Sequence, residues 1–141
     1  AQRAQTLRRM VAKASGSNKI VTVVEADFTR ADTSAKGEAS NATMALVDPS
    51  CSGSGGQGGH LMHRESSHEA ERAEYWERVR SLAASQISIL TKALSFPNVT
   101  CVVYSTCSVH KEENEEVVAA VLNECGKDGW SLVLELWVLD Q

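Results

Sequence analysis

The chain has 141 residues, 43% of them hydrophobic and 23% charged; that is enough for one modest domain burying about two-thirds of its unfolded surface, and no apolar run reaches the roughly 20 residues of a membrane span. Fourteen basic against 18 acidic residues give a net charge of −4, which argues against a surface that grips a nucleic-acid backbone unaided. Four cysteines, Cys51, Cys101, Cys107 and Cys125, are too sparse for a secreted disulfide scaffold, and Ala1 to Met10 lacks a charged-then-apolar signal pattern, so an intracellular, reduced setting is expected.

Between Arg3 and Ala14 the apolar residues Ala4, Leu7, Met10, Val11 and Ala14 recur at intervals of three and four, predicting a helix with Arg8, Arg9 and Lys13 off the stripe. Ser15 to Asn18 ends it. Ile20 to Val24 is a β-branched run closing on Glu25-Ala26-Asp27, a predicted strand that delivers an acid to its carboxyl end. Thr29 to Thr43 is polar and aperiodic, a surface loop. The strand Met44 to Val47 follows, stopped by Pro49, and the glycines from Gly53 to Gly59 predict mobility after it.

A helix from about Glu69 to Leu94 places Ala73, Trp76, Val79, Leu82, Ala83, Ile87, Leu90 and Leu94 on one stripe. Phe96-Pro97-Asn98 turns the chain into the strand Val99 to Tyr104. Glu112 to Leu122 reads as a short helix whose Glu112, Glu113, Glu115 and Glu116 suit the positive end of its macrodipole. Leu132 to Val138 is the last predicted strand. The alternation predicts an α/β, doubly wound fold in which Ile20–Val24, Met44–Val47, Val99–Tyr104 and 132–138 share one sheet, the first three strands parallel. A helix already under way at Arg3 and the missing initiator methionine lead us to expect a domain fragment without its opening strand.

Ligands of such sheets bind beyond the carboxyl ends of the strands. Two strands end in cysteines there: Asp48-Pro49-Ser50-Cys51 after one, Ser105-Thr106-Cys107-Ser108 after another. Backbone amides that open or precede helices could lower a thiol's pKa at either place. Cys101, inside a strand, and Cys125, late in a helix, read as ordinary core residues.

Other motifs fare worse. Gly53-Ser54-Gly55-Gly56-Gln57-Gly58 has the literal spacing of a dinucleotide fingerprint, but it neither sits tightly between strand and helix nor precedes a strand ending in an acid. His60, His63 and His68 with Cys51 match no usual zinc spacing. Neither Ser52 nor Ser54 has the flanking glycines of a nucleophile elbow.

Asp48-Pro49-Ser50-Cys51-Ser52-Gly53, taken with Tyr104-Ser105-Thr106-Cys107-Ser108 and Glu113-Asn114-Glu115, resembles the Sun (Nop/NSUN) family of RNA cytosine-5 methyltransferases. The resemblance runs from Arg3 through Asp27 to the region of Trp137. Ser50, where the family usually has a second proline, and Gly53-Ser54-Gly55 look like the branch that methylates large-subunit ribosomal RNA.

The resemblance implies a Rossmann-like, S-adenosylmethionine-dependent methyltransferase fold, incomplete at the N-terminus, with residues 1–141 forming part of a single catalytic domain. It implies Cys107 as the nucleophile that adds to carbon 6 of cytosine, since carbon 5 is too weak a nucleophile to attack a methyl sulfonium directly. It makes Cys51 the second thiol, aiding proton removal from carbon 5 and elimination of the adduct. Asp48 corresponds to an acid lying against cofactor and target base, and Asp27 and Arg3 correspond to positions that contact S-adenosyl-L-methionine. The glycine-rich cofactor loop and the acid of the second strand are not in this sequence, so the chain alone is expected to bind the cofactor poorly.

The partner implied is RNA, specifically large-subunit rRNA, with no metal and no membrane. A monomer is expected, nuclear or nucleolar in a eukaryote and cytoplasmic in a bacterium. A dinucleotide-binding oxidoreductase fragment and a non-catalytic, degenerate methyltransferase domain serving as an interaction surface remain the alternatives.

Overall fold

Two short apolar runs pair as parallel strands, β1 (Met44–Val47) and β2 (Cys101–Tyr104), in register Met44 to Cys101 and Val47 to Tyr104. The computed structural model in which they lie describes residues 2–15, 20–34, 36–37, 39–56, 69–125 and 129–133. The chain divides into two compact units, residues 1–31 and 32–141, and both strands belong to the second. Pairing continues one residue past each end, with the Thr100 N–H donating to the Thr43 carbonyl and the Ser105 N–H to that of Val47.

Parallel neighbours need a long crossover, and α2 (Glu69–Leu94) is part of it. Its 26 residues contain no glycine or proline; Glu69 and Glu71 open it and Lys92 lies in its last turn, each charge suiting its end of the macrodipole. Ser95 caps the exit by donating both its N–H and its hydroxyl to the Lys92 carbonyl, and Pro97 follows. After β2 a 3-10 turn, Lys111–Glu113, leads into α3 (Glu115–Cys125).

Side chains alternate across a strand. Ala45, Val47, Val102 and Tyr104 therefore face one way and join Leu90 and Ala93 of α2 and Val117 and Val121 of α3 in the core. Val117 and Val121, 0% and 1% exposed, each contribute about 1.5–3 kcal/mol of hydrophobic burial. The opposite face carries Met44, Leu46, Cys101 and Val103, all exposed.

The first unit contains α1 (Gln2–Ser15), where the predicted helix lies. Leu7 and Met10 of its apolar stripe are exposed, and an ion pair joins Arg8 to Glu25 at 3.9 Å on the surface. A 3-10 turn, Phe28–Arg30, follows, with Asp27 as its N-cap.

The structure is α/β as predicted, and it corrects several particulars. Residues 20–24 form no strand: Ile20, Val21 and Val24 are more than half exposed. β-Branched residues favour the extended chain, but a strand also requires a neighbour for its backbone groups, so two of the three expected parallel strands are paired here. Leu132 and Val133 are described without strand structure, and the rest of the 132–138 prediction lies outside the described residues. Cys101 is in a strand as expected, yet exposed, because it points to the uncovered face. Ala73 is exposed, while Gln86 and Ala93, absent from the predicted stripe, are fully buried. Glu113 precedes α3 and is 0% exposed rather than a solvated helix-end acid.

Candidate active site

The register of β1 and β2 puts Asp48 and Ser105 side by side at the carboxyl ends, where the Ser105 hydroxyl donates to Asp48 Oδ1 at 3.1 Å. Beyond them the two chains converge. Cys51 Sγ lies 2.8 Å from Cys107 Sγ, both thiols free, with Cys107 exposed and Cys51 half-buried. The two cysteines picked out by position thus meet in space, with Asp48 beside them.

The approach depends on glycine. Gly53 adopts φ +73°, a left-handed conformation open to few other residues. At Gly55 a Cβ would stand 2.9 Å from the Cys107 carbonyl oxygen, which accepts the Gly55 N–H at the same distance. The Gly56 N–H closes the turn onto the Gly53 carbonyl. Residues 53–56 are therefore an ordered brace across the thiols, contrary to the mobility expected of them; residues 57–59 lie outside the described residues. A dinucleotide fingerprint would require a helix opening at this turn, and the residues that would form it, 57–68, lie outside the described residues.

Hydroxyls stitch the loops together. Ser52, Ser54 and Ser108 are mutually within 3.1–3.2 Å through their Oγ atoms, and Ser54 Oγ also accepts the Val109 N–H. The Asn114 side chain donates to the carbonyls of Ser108 and His110 and accepts from the Thr106 hydroxyl. His110 fastens this loop to α2, its Nε2 lying 2.6 Å from the Tyr75 hydroxyl and its ring 4.9 Å from that of Trp76.

Beneath the thiols lies a buried polar pair, Glu113, expected from the sequence as a helix-end acid, and Gln86, which the apolar stripe of its helix conceals. Glu113 Oε1 accepts the Ser52 N–H and a Gln86 Nε2 hydrogen, both at 2.9 Å, and Oε2 accepts the Ser108 hydroxyl at 2.7 Å. Gln86 also donates to the Ser50 carbonyl and accepts from Tyr104, whose hydroxyl donates in addition to the Glu113 carbonyl at 2.7 Å. Burial pushes the Glu113 carboxyl up, but the donors from Ser52, Ser108 and Gln86 more than offset it and hold it below the ordinary value. Burial, aided by the Glu113 and Cys51 charges, pushes the Tyr104 phenol up, so it stays a donor. A glutamine within an apolar helical stripe was the available signal, because a buried amide needs polar partners.

The expectation that backbone amides lower both thiol pKa values fails for Cys107. The hydrogen bond to Cys51 raises it most, followed by desolvation, the Cys51 charge and Asp48, against a smaller lowering by backbone hydrogen bonding.

Arg3 and Asp27 belong to the first unit. Arg3 is exposed in the first turn of α1. Asp27 Oδ1 accepts from the Thr29 N–H and hydroxyl at 3.0 and 2.7 Å, and these bonds lower its pKa. The carboxylates of Asp27, in the first unit, and Asp48, in the second, are exposed, and each keeps an oxygen without a hydrogen bond among the described residues, an acceptor for an N–H or O–H donor. Among the described residues no group of three or more His, Cys, Asp or Glu could hold a metal ion; His60, His63 and His68 lie outside them.

Comparison with known proteins supplies the family. A family model described as 16S rRNA methyltransferase RsmB/F matches residues 1–134. The chain is 45% identical over 127 residues to the 25S rRNA (cytosine-C(5))-methyltransferase rcm1 of Schizosaccharomyces pombe, covering 88% of this chain and 26% of that protein. It is 45% identical over 89 residues to the 25S rRNA (cytosine-C(5))-methyltransferase NSUN5 of Arabidopsis thaliana, covering 62% and 16%. Against the 28S rRNA (cytosine-C(5))-methyltransferase of Mus musculus it is 41% identical over 93 residues, covering 65% and 19%. The chain thus spans about a quarter or less of the length of these relatives. The family match across nearly the whole sequence and the paired strand-end cysteines lead to one conclusion: this chain belongs to the RsmB/F family of rRNA methyltransferases.

Proposed function

We propose that the chain is part of the single catalytic domain, of Rossmann-like doubly wound type, of an S-adenosylmethionine-dependent enzyme that methylates carbon 5 of a cytosine in large-subunit rRNA. The observation that carries this reading is the 2.8 Å approach of Cys51 and Cys107 at adjacent strand ends, with 25S and 28S rRNA (cytosine-C(5))-methyltransferases among the relatives. What separates it from a dinucleotide-dependent oxidoreductase is that these relatives are methyltransferases.

Cys107, exposed, is the nucleophile. Its proton must leave first, to the solvent to which Cys107 is exposed. The Cys107 thiolate then adds to carbon 6, forming a sulfur–carbon bond and moving the double-bond electrons onto carbon 5. S-adenosylmethionine, when bound, supplies the electrophilic methyl group. Cys51, once its own thiol proton has passed to solvent, takes the proton from carbon 5, and the sulfur–carbon bond to Cys107 breaks as the ring double bond re-forms. Asp48, exposed beside the thiols, hydrogen-bonds the polar edge of the base. Asp27 accepts hydrogen bonds from the cofactor's adenosine, and Arg3 contacts the cofactor from α1.

The net charge of −4 supports RNA binding that depends on groups beyond this surface. A paired target base would have to be flipped out at a cost of a few kcal/mol. Substrate of this kind places the protein inside the cell, in the nucleolus of a eukaryote or the cytoplasm of a bacterium, and it acts as a monomer. Among the described residues no helix is long and apolar enough to cross a membrane. The test is transfer of a labelled methyl group to large-subunit rRNA by a polypeptide containing this chain, with nucleoside mass spectrometry of the product. The reading expects 5-methylcytosine, lost with Cys107→Ala; a catalytically dead domain or retained activity in that variant would refute it.

A further inference from the structure

The two thiol loops repeat one dipeptide, Cys51-Ser52 and Cys107-Ser108, and a single buried carboxylate holds both. Glu113 Oε1 takes the Ser52 N–H at 2.9 Å, and Oε2 takes the Ser108 hydroxyl at 2.7 Å. Glu113 is itself held from α2 by Gln86, and both side chains are 0% exposed. We propose that Glu113, braced by Gln86, is the positioning residue that sets the separation of Cys51 and Cys107.

Each carboxylate oxygen fixes the residue directly after one cysteine, so the rigid width of one carboxylate is imposed on two otherwise separate loops. Side chains whose supporting shell is this well satisfied hold their geometry within fractions of an ångström. Glu113 touches neither thiol and acts only through Ser52 and Ser108. An amide does this less well: a glutamine there has no charge to strengthen its bonds, and it turns an NH2 group either toward the Ser52 and Gln86 donors or toward a Ser108 hydroxyl that must then reverse its own bond and that already accepts the His110 N–H. The role in catalysis rests on the proposed methyltransferase reading, but the geometric claim does not.

A cofactor-free experiment separates the two. In the full 141-residue chain, diamide removes two electrons and two protons from a pair of neighbouring thiols, becoming the corresponding hydrazine as an S–S bond forms. Peptide mapping over time reads which pair closes and how fast. In the unsubstituted chain Cys51 and Cys107 should close before any disulfide involving Cys101 or Cys125. Glu113→Gln should slow that closure tenfold or more while circular dichroism stays unchanged. Should that variant fail to fold, the Ser108 variants decide: Ser108→Ala, which removes one of the carboxylate's donors, should slow closure at least threefold, and Ser108→Thr, which keeps the hydroxyl, should restore the rate. A purely structural role would lower the melting temperature of these variants and leave the closure rate alone. Closure within twofold of the original rate in folded Glu113→Gln, or equal rates for Ser108→Ala and Ser108→Thr, would overturn the proposal whether or not the chain methylates RNA.

Discussion

Replacing Gln86 with leucine isolates the polar contribution of the network beneath the thiols. The two side chains are similar in size and the site is 0% exposed, so packing is largely kept while three hydrogen bonds are lost. Tyr104 keeps its 2.7 Å bond to the Glu113 carbonyl, and Glu113 keeps Ser52 and Ser108. The Ser50 carbonyl and one lone pair of a buried carboxylate are left without their donor. At about 1–3 kcal/mol for each stranded group, with a partial offset from the added apolar surface, the net loss should be about 2–3 kcal/mol. That is a large part of the roughly 5–15 kcal/mol that stabilises a domain. Urea unfolding of both chains, followed by circular dichroism, measures it as a lower midpoint with an unchanged slope. Ser88→Ala, which removes only an exposed hydroxyl bonded to the Ala84 carbonyl, should stay within about 0.5 kcal/mol as the control. A Gln86→Leu chain no less stable than its parent would refute the reasoning, because it would mean that the network stabilises nothing.

Cys51→Ala removes the largest influence raising the Cys107 pKa, so the pH midpoint for alkylation of Cys107 by iodoacetamide should fall; an unchanged or higher midpoint would contradict the thiol pairing. Glu113 has a folded pKa below its ordinary 4.5, so the stability it confers is present above that value and is lost as the pH falls through the folded one. Acid titration of unfolding should therefore show a loss below about pH 4.5 that flattens in Glu113→Gln. Tyr104→Phe, which deletes the donor to Glu113 and Gln86, should cost about 1–2 kcal/mol in the same urea assay.

The sequence made legible those features in which a local signal and its tertiary partner agree. Glu69–Leu94 has helical periodicity, no breaker and a core to face, and its observed bounds are the predicted ones. Cys51 and Cys107 were found because each follows a β-rich run that ends at polar residues, and the parallel register then carries them together. Ile20–Val24 shows the reverse: strong β propensity with no paired neighbour among the described residues. Glu113 was misread for a related reason. Its charge and its place near a helix start suggest a solvated macrodipole partner, and only the three-dimensional meeting of Ser52, Ser108 and Gln86 reveals enough donors to keep a carboxylate ionised in the interior. The composition of the glycine run likewise suggests mobility, although Gly55 is pinned to a carbonyl more than fifty residues away in sequence.

The division of labour between the two thiols is the central claim, and a denaturing gel of labelled RNA with a methylation-competent polypeptide containing this chain tests it directly. With S-adenosylmethionine present, Cys51→Ala should accumulate a protein–RNA complex that survives denaturant, because the adduct forms on Cys107 and is not discharged. Cys107→Ala should give neither complex nor methylated product. A complex that appeared with Cys107→Ala and vanished with Cys51→Ala would contradict the account and exchange the roles of the two cysteines.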